Sequence, residues 1–120
     1  MIARLMGLRT ITPEGVQQLL RGQDVVVVDV NSADRWTEAH VPGAVNLDPS
    51  RFTDEQLPPD KETSVVFYCS GAMCRKAPDA ARRASKMGYR DVKVMSAGIR
   101  GWTARKLPTE RGALPRRAAG

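Results

Sequence analysis

The stretch Ser64-Val65-Val66-Phe67-Tyr68-Cys69-Ser70-Gly71-Ala72-Met73-Cys74-Arg75 decides the fold class of this chain. Residues 64–68 are dominated by β-branched and aromatic side chains, a run typical of a strand buried on both faces of a sheet. From about Lys76 to Met87, alanines recur on one face and basic residues on the other, which predicts an amphipathic helix. A buried strand that leads through a short loop into a helix indicates an α/β domain with a parallel sheet.

The sequence on either side continues this alternation of strands and helices. Thr12 and Pro13 are suited to begin a helix, and residues 25–28 form a second β-branched run. The further predicted elements are a short helix over residues 32–39, a strand over 44–47, one helical turn near Phe52, a strand over 92–95 and a final helix from Ile99 to about Lys106. We expect one domain over residues 1–108, with a mainly parallel sheet flanked by helices on both faces, and a basic, disordered tail over residues 109–120.

The net charge of +6 is unevenly spread along the chain. Residues 1–60 carry five arginines against nine acidic residues, a net charge of −4, whereas residues 61–99 and 100–120 each have a net charge of +5. We favour a solvated surface with a basic tail, and the alternative is a field that attracts anions toward Cys69. Because Trp102 is the only aromatic residue among the basic residues of the last segment, we expect no binding to nucleic acid.

Hydropathy and cysteine content bear on the location of the protein. No apolar run approaches the roughly 20 residues of a membrane helix, and residues 1–9 are too short and interrupted for a signal peptide. The two cysteines, Cys69 and Cys74, fit neither a secreted disulfide framework nor a structural zinc site. We therefore expect a soluble, cytoplasmic protein that binds no membrane and no metal.

The loop after the 64–68 strand is the predicted functional site. Cys69 lies between a strand end and a helix start, where loop amides and the helix N-terminus favour a thiolate, the nucleophilic form of cysteine. We expect Gly71 to let the backbone curl, the amides of residues 70–75 to bind an anionic group, and Arg75 to supply a fixed positive charge. The alternative is a buried structural cysteine, which this placement makes less favoured.

Several stretches of the chain resemble the rhodanese family. They are Val27-Val28-Asp29-Val30-Asn31, the segment from Trp36 to Asn46 that contains His40-Val41-Pro42-Gly43-Ala44, Val66-Phe67-Tyr68-Cys69, Gly88-Tyr89, and Ala97-Gly98-Ile99 followed by Gly101-Trp102. Each match is weak alone, but together they follow the family's order over about residues 10–108. The resemblance implies a five-stranded sheet flanked by helices, and a Cys69 that accepts sulfane sulfur from a donor and passes it on as a persulfide.

Three positions depart from the family's pattern. Asn31 stands where the family has an arginine, Ala97 replaces the first glycine of the closing pair, and Cys74 takes the position of the arginine in the common Cys-x4-Arg loop. The resulting Cys-x5-Arg spacing, which ends at Arg75, also resembles that of phosphatases and arsenate reductases. Cys74 has three interpretations: a small buried residue facing the next turn, which we favour, a resolving thiol that traps Cys69 as a disulfide, or a sulfur relay.

Other polar and aromatic residues have less direct interpretations. The resemblance places His40 in a Pro-Gly turn segment, where we expect it to hold backbone rather than to pair with the cysteine. Asp29 ends a strand near the Cys69 loop and either supports that loop or caps its own strand. For Arg35 a solvated helix position is favoured over one that faces the pocket, and we expect Trp36 and Trp102 to pack against the sheet.

The leading functional hypothesis is sulfur transfer in two half-steps. A small anionic donor such as thiosulfate loads Cys69, and a thiol, cyanide or a protein acceptor then removes the sulfur, with no metal or organic cofactor. The residues expected to hold the substrate are Ser70, Gly71, Ala72, Met73, Cys74 and Arg75, with Asp29 in support. The alternatives are a phosphatase or arsenate reductase that uses Cys69 and Arg75, and a non-catalytic sulfur carrier or redox-sensing module.

Overall fold

The computed structural model describes residues 2–22 and 24–112, which form a parallel sheet with helices on both sides. The helices are α1 (Ile2–Leu5), α2 (Pro13–Gly22), α3 (Ala33–Glu38), α4 (Lys76–Lys86) and α5 (Gly98–Ala104), with a single 3₁₀ turn at Asp54–Gln56. The strands are β1 (Val25–Asp29), β2 (Val45–Asn46), β3 (Ser64–Tyr68) and β4 (Val92–Val94), in the order β2-β1-β3-β4. The predicted α/β class with a parallel sheet is confirmed.

The two β-branched runs of the sequence form the centre of the sheet. β1 and β3 pair in parallel over their full lengths, from Val25 opposite Ser64 to Asp29 opposite Tyr68. Because successive side chains of a strand point to opposite faces, Phe67 enters one apolar cluster and its neighbour Tyr68 enters another. The sheet is therefore covered on both faces, and its central strands end at one common edge.

The helices cover the two faces with different side chains. On one face, α4 presents a row of small buried alanines that pack against the cluster containing Phe67. On the other face lie Val16 of α2 and Trp102 of α5, whose indole nitrogen donates a hydrogen bond of 2.8 Å to the carbonyl oxygen of Pro108. This arrangement confirms that Trp102 packs against the sheet.

The fifth strand that the sequence comparison implies is reduced to a single bridge. Thr10 pairs in parallel with Val94 at the β4 edge, and the amide of Ile11 donates a hydrogen bond of 3.0 Å to the carbonyl oxygen of Val94. The chain then turns directly into α2, whose first turn is capped by the Thr12 hydroxyl. Within residues 2–22 and 24–112, the sheet therefore has four strands rather than five.

The start of the predicted tail belongs to the folded part of the chain. Glu110 and His40 exchange two backbone hydrogen bonds of 2.9 Å, and the amide of Gly112 donates one of 2.7 Å to the carbonyl oxygen of Thr37. The expectation of disorder is therefore wrong for residues 109–112, because these hydrogen bonds attach them to α3 and the segment after it. The rest of that tail, residues 113–120, lies outside the described residues.

In the described part of the chain, no helix has both the length and the apolar character needed to cross a bilayer.

Candidate functional site

The Cys69 side chain lies at the carboxyl end of β3, under the first turn of α4. It is 2% exposed, and its Sγ atom accepts a hydrogen bond of 3.4 Å from the backbone amide of Ala77. The free amides at the start of an 11-residue helix carry partial positive charge, which stabilises negative charge on the sulfur. The predicted placement of Cys69 between strand end and helix start is therefore correct, although the donor that reaches its sulfur is Ala77 and not residues 70–75.

Cys69 and Cys74 are joined by a disulfide bond in this structure. The amide of Cys74 donates a hydrogen bond of 3.1 Å to the carbonyl oxygen of Gly71, which closes a tight turn and brings the two Cα atoms to 6.4 Å. Cys74 does pack against the core, but it is only half-buried and its sulfur is bonded to Cys69. The favoured interpretation of Cys74 as a small buried residue is therefore incomplete, because the turn directs its sulfur at Cys69.

The loop from Cys69 to Arg75 rests on the start of α5. The amides of Ile99 and Arg100 donate hydrogen bonds of 2.9 and 3.1 Å to the carbonyl oxygens of Cys69 and Ser70. A Cβ atom on Gly98, whose φ is +66°, would lie 2.5 Å from the carbonyl carbon of Ser70. Only glycine fits this close approach of two backbones. The departure at Ala97 is harmless because that residue has an ordinary helical conformation, with φ of −64°.

The predicted conformational role of Gly71 is not found. Gly71 is absent from the residues with positive φ, and a Cβ atom there would make an ordinary contact of 3.7 Å with Cδ of Arg100. Within the described part of the chain, the amides of residues 70–73 and 75 make no backbone hydrogen bond. The glycine that the conformation of this loop requires is Gly98.

A cationic depression, here called the outer cleft, opens beside the loop. Its volume is about 440 Å³, and it is lined by Asn31, Arg35, Ser70, Met73, Cys74, Lys76 and Arg100. Three of these side chains are cationic and none is acidic, so the outer cleft favours anionic ligands. Asn31, the position where the family has an arginine, shares this surface with Arg35 and Arg100.

The cations of the outer cleft differ from the one that the sequence predicts. Arg75 is exposed, immediately precedes α4 and lines neither cleft at this site. Arg35, for which a solvated position was favoured, lines the outer cleft with Lys76 and Arg100. Sequence reasoning missed Lys76 and Arg100, although their proximity to the Cys69 loop and to the closing Ala97–Trp102 motif is a usable signal.

A much smaller inner cleft lies on the core side of the disulfide. It is lined mainly by Cys69, Gly71, Ala72, Cys74, Ala77 and Met95, and its volume of about 10 Å³ is close to that of one water molecule. Cys74 lines both clefts, whereas Cys69 lines only the inner one. Of the two cysteines, Cys74 is therefore the one that the outer cleft reaches.

Asp29 caps its own strand and does not reach the loop. Its side chain is fully buried, and Oδ1 accepts a hydrogen bond of 2.8 Å from the amide of Asn31. Burial raises the pKa of this carboxyl group, and the Tyr68 hydroxyl and the Asn31 amide oppose that increase. Among the described residues, Asp29 makes no hydrogen bond with the amides of residues 70–75 or with a basic side chain, so its geometry is that of the strand-end cap.

His40 holds backbone, as the sequence predicts. Its Nδ1 atom lies 2.7 Å from the carbonyl oxygen of Trp36 and donates to it, and its ring stacks on the Trp36 indole at 4.2 Å between centroids. The Nε2 atom lies 3.6 Å from a carboxylate oxygen of Glu110. Both nitrogens thus face structural partners, and His40 has no contact with the cysteine pair among its hydrogen bonds.

Two known proteins are similar to this chain in sequence. The HTH-type transcriptional regulator Rv0324 of Mycobacterium tuberculosis is 35% identical over 99 residues, which cover 80% of this chain and 43% of the regulator. Thiosulfate sulfurtransferase GlpE of Coxiella burnetii is 25% identical over 87 residues, which cover 72% of this chain and 79% of that protein. The chain therefore spans less than half the length of the regulator and most of the length of the sulfurtransferase.

A solved structure and a family match identify the fold and the family. The crystal structure of thiosulfate sulfurtransferase from Pseudomonas aeruginosa superimposes with a TM-score of 0.81 at 22% identity, and the match covers 92% of this chain and 21% of that one. The sequence model of the family described as the rhodanese-like domain matches residues 12–105. Since this match spans most of the chain, the protein belongs to the rhodanese-like domain family.

Proposed function

We propose that this protein is a sulfurtransferase that carries sulfane sulfur on Cys69. The observation that carries the proposal is the position of the Cys69 sulfur, at the carboxyl end of β3 and within hydrogen-bond distance of the Ala77 amide. Family membership and the name of the GlpE relative support the same reaction class. Because the sulfur is bonded to Cys74 in this structure, reduction of the disulfide precedes any sulfur transfer.

The first half-step loads the cysteine. The Cys69 thiolate attacks the outer sulfur of thiosulfate, the bond between the two thiosulfate sulfurs breaks, and sulfite leaves with that electron pair. A persulfide remains on Cys69. The amide of Ala77 stabilises the thiolate before the attack, and the amides of residues 70–73 are available to the new outer sulfur. The cations of the outer cleft attract the doubly charged donor.

The second half-step removes the sulfur from Cys69. A thiolate of a small molecule or of a protein acceptor, or cyanide, attacks the outer sulfur of the persulfide, and the Cys69 thiolate leaves. The leaving thiolate returns to the hydrogen bond with Ala77. No step requires a metal or an organic cofactor, because each consists of one nucleophilic displacement at sulfur.

Mass spectrometry and a cyanide assay test this proposal. The Cys74→Ser variant, in which the Cys69–Cys74 disulfide cannot form, is exposed to thiosulfate, and the peptide that contains Cys69 is expected to gain the mass of one sulfur atom. Cys69→Ser is expected to lower thiosulfate:cyanide transfer to the background rate, whereas Ser85→Ala, on an exposed position of α4, leaves it unchanged. Full activity in Cys69→Ser would refute the assignment of Cys69.

The phosphatase alternative has no specific support in the geometry. It depends on an arginine after the cysteine that binds the oxyanion, and Arg75 lines neither cleft. The same preparation is therefore expected to leave p-nitrophenyl phosphate and arsenate unchanged. Turnover of either compound that disappears in Cys69→Ser would favour the alternative instead.

A further inference from the structure

The two cysteines of the loop differ in their access to solvent. Cys69 is 2% exposed and lines only the inner cleft, whereas Cys74 is half-buried and lines both clefts. Their sulfurs are bonded through a turn that the Cys74 amide closes on Gly71. The turn of the loop thus brings a second thiol against the nucleophile.

From this pairing, and on the basis of the proposed function, we infer that Cys74 resolves the Cys69 persulfide and releases the transferred sulfur as sulfide. The protein then acts as a thiosulfate reductase that uses a dithiol. This activity differs from transfer to an external acceptor, because the sulfane sulfur leaves fully reduced and the protein is left as the disulfide seen here.

The chemistry balances with one named reductant. The Cys74 sulfur attacks the Sγ atom of Cys69, the bond from that Sγ to the outer sulfur breaks, and the outer sulfur leaves as hydrosulfide with the electron pair. The proton of the Cys74 thiol goes to the hydrosulfide. The outer sulfur gains two electrons, and the two cysteine sulfurs lose one each. A dithiol, either a small molecule or a protein, then reduces the disulfide and restores both thiols.

The structure also indicates which sulfur the dithiol attacks. Cys74 is accessible from the outer cleft, and Cys69 is buried behind it. Attack on Cys74 makes Cys69 the leaving thiolate, and the Ala77 amide already donates to that atom. A better stabilised thiolate leaves faster in thiol–disulfide exchange. Arg35, Lys76 and Arg100 around Cys74 favour a dithiol with an acidic surface.

A single-turnover experiment tests the inference without interference from added thiols. The full chain is reduced, freed of reductant under anaerobic conditions and mixed with thiosulfate, after which sulfite, sulfide and intact mass are measured. The wild type is expected to release sulfite and an equal amount of sulfide and to end two hydrogen masses lighter than the reduced form. Addition of dithiothreitol and then fresh thiosulfate should produce a second, equal release of sulfide.

The matched variant separates the two cysteines. Cys74→Ser is expected to release sulfite, retain the added sulfur on Cys69 and release no sulfide, and Cys74→Ala serves the same purpose if the serine variant does not fold. Ser85→Ala should behave as the wild type. The first-order rate constant of sulfide release, measured with thiosulfate in excess, should also be independent of protein concentration, because the resolving thiol belongs to the same chain.

Three further results have distinct meanings. If the wild type releases sulfite but keeps a stable persulfide with no sulfide, the inference is wrong and the proposed sulfurtransferase function stands. If neither the wild type nor Cys74→Ser releases sulfite or gains sulfur, the proposed function fails and the inference fails with it. A first-order rate constant of sulfide release that rises with protein concentration would assign resolution to a second molecule and would also overturn the inference.

Discussion

At the scale of single residues, the site depends on a few positions with strict requirements. Cys69 needs the amide of Ala77, and Cys74 needs the turn closed on Gly71. Gly98 allows the backbone of the loop to lie against the start of α5. Each of these contacts involves at least one backbone group, and a substituted side chain cannot supply that group.

Gly98→Ala is expected to destabilise the protein and to displace the Cys69 loop. The new Cβ atom would lie 2.5 Å from the backbone of Ser70, and φ would have to remain near +66°. We expect a loss of about 3 kcal/mol or more in the free energy of unfolding, since overpacking adds to the strain of a left-handed conformation. Urea unfolding and the cyanide assay measure both effects.

Gly43→Ala is the matched control for that variant. Gly43 has a φ of +79°, but a Cβ atom there would meet nothing within 4 Å. We expect a cost of about 1 kcal/mol from the backbone conformation alone. Equal losses in the two variants would show that the close approach at Gly98 is unimportant.

The raised pKa of the buried Asp29 carboxyl group predicts that the stability of the protein depends on pH. Burial raises the pKa of Asp29 above its ordinary value of 3.8, so between these two values the folded state binds more protons than the unfolded state. The free energy of unfolding therefore falls as pH rises through that window. Asp29→Asn lacks this loss. The free energy of unfolding of the variant minus that of the wild type should therefore grow with pH in urea titrations from about pH 3 to pH 7. A constant difference would contradict this reasoning.

At the scale of elements, three parts of the fold contribute cations to one cleft. Arg35 comes from α3, Lys76 from the first residue of α4 and Arg100 from α5. They surround the half-buried Cys74 because α3, α4 and α5 all begin at the same edge of the sheet, beyond the carboxyl ends of the strands. The outer cleft is thus a product of topology, as expected for ligand sites in open α/β sheets.

Removal of this charge is expected to weaken use of the anionic donor. Arg35→Gln and Arg100→Gln, which retain most of the side-chain stem, should each raise KM for thiosulfate by about three- to tenfold at low salt and less at high salt. Arg82→Gln, on the exposed side of α4 and in a different cleft, is the control and should leave KM unchanged. Equal effects of all three substitutions would indicate a general charge effect and not a specific cleft.

At the scale of the whole molecule, the segment after α5 joins the end of the described chain to the region between α3 and β2. Residues 109–112 cross back to the far end of the sheet, where Glu110 pairs with His40 and its carboxylate accepts a hydrogen bond of 2.9 Å from the amide of Gly43. His40 in turn stacks on Trp36. The C-terminal part of the described chain therefore stabilises the segment between α3 and β2.

Truncation tests how much the hydrogen bonds of residues 109–112 stabilise the protein. A chain that ends at Gly112 keeps the backbone hydrogen bonds of Glu110 and Gly112, whereas a chain that ends at Pro108 loses them. We expect the shorter chain to be less stable by about 2 kcal/mol or more, because three backbone hydrogen bonds are removed, each with a net contribution of about 0.5–1.5 kcal/mol after exchange with water. Thermal unfolding of the two truncated chains, compared with each other, isolates residues 109–112. Equal melting temperatures would show that the segment does not contribute.

Local patterns in the sequence were sufficient to predict the central strands, most of the helices and the family. The β-branched run of β1, the apolar run of β3 and the Thr12–Pro13 start of α2 are recognisable because strand alternation and helix capping depend on neighbouring residues. The position of Cys69 between a strand end and a helix start was predictable for the same reason, since the strand, the loop and the helix follow one another in the chain.

Only the tertiary structure decided which distant residues share the site and what state the cysteines adopt. Arg35 and Arg100 meet across the outer cleft, and the loop that joins Cys69 to Cys74 rests on the amides of Ile99 and Arg100. The reduction of the fifth strand to a bridge at Thr10 and the pairing of Glu110 with His40 are likewise long-range. Such contacts follow from sheet register and helix packing, which no window of neighbouring residues contains.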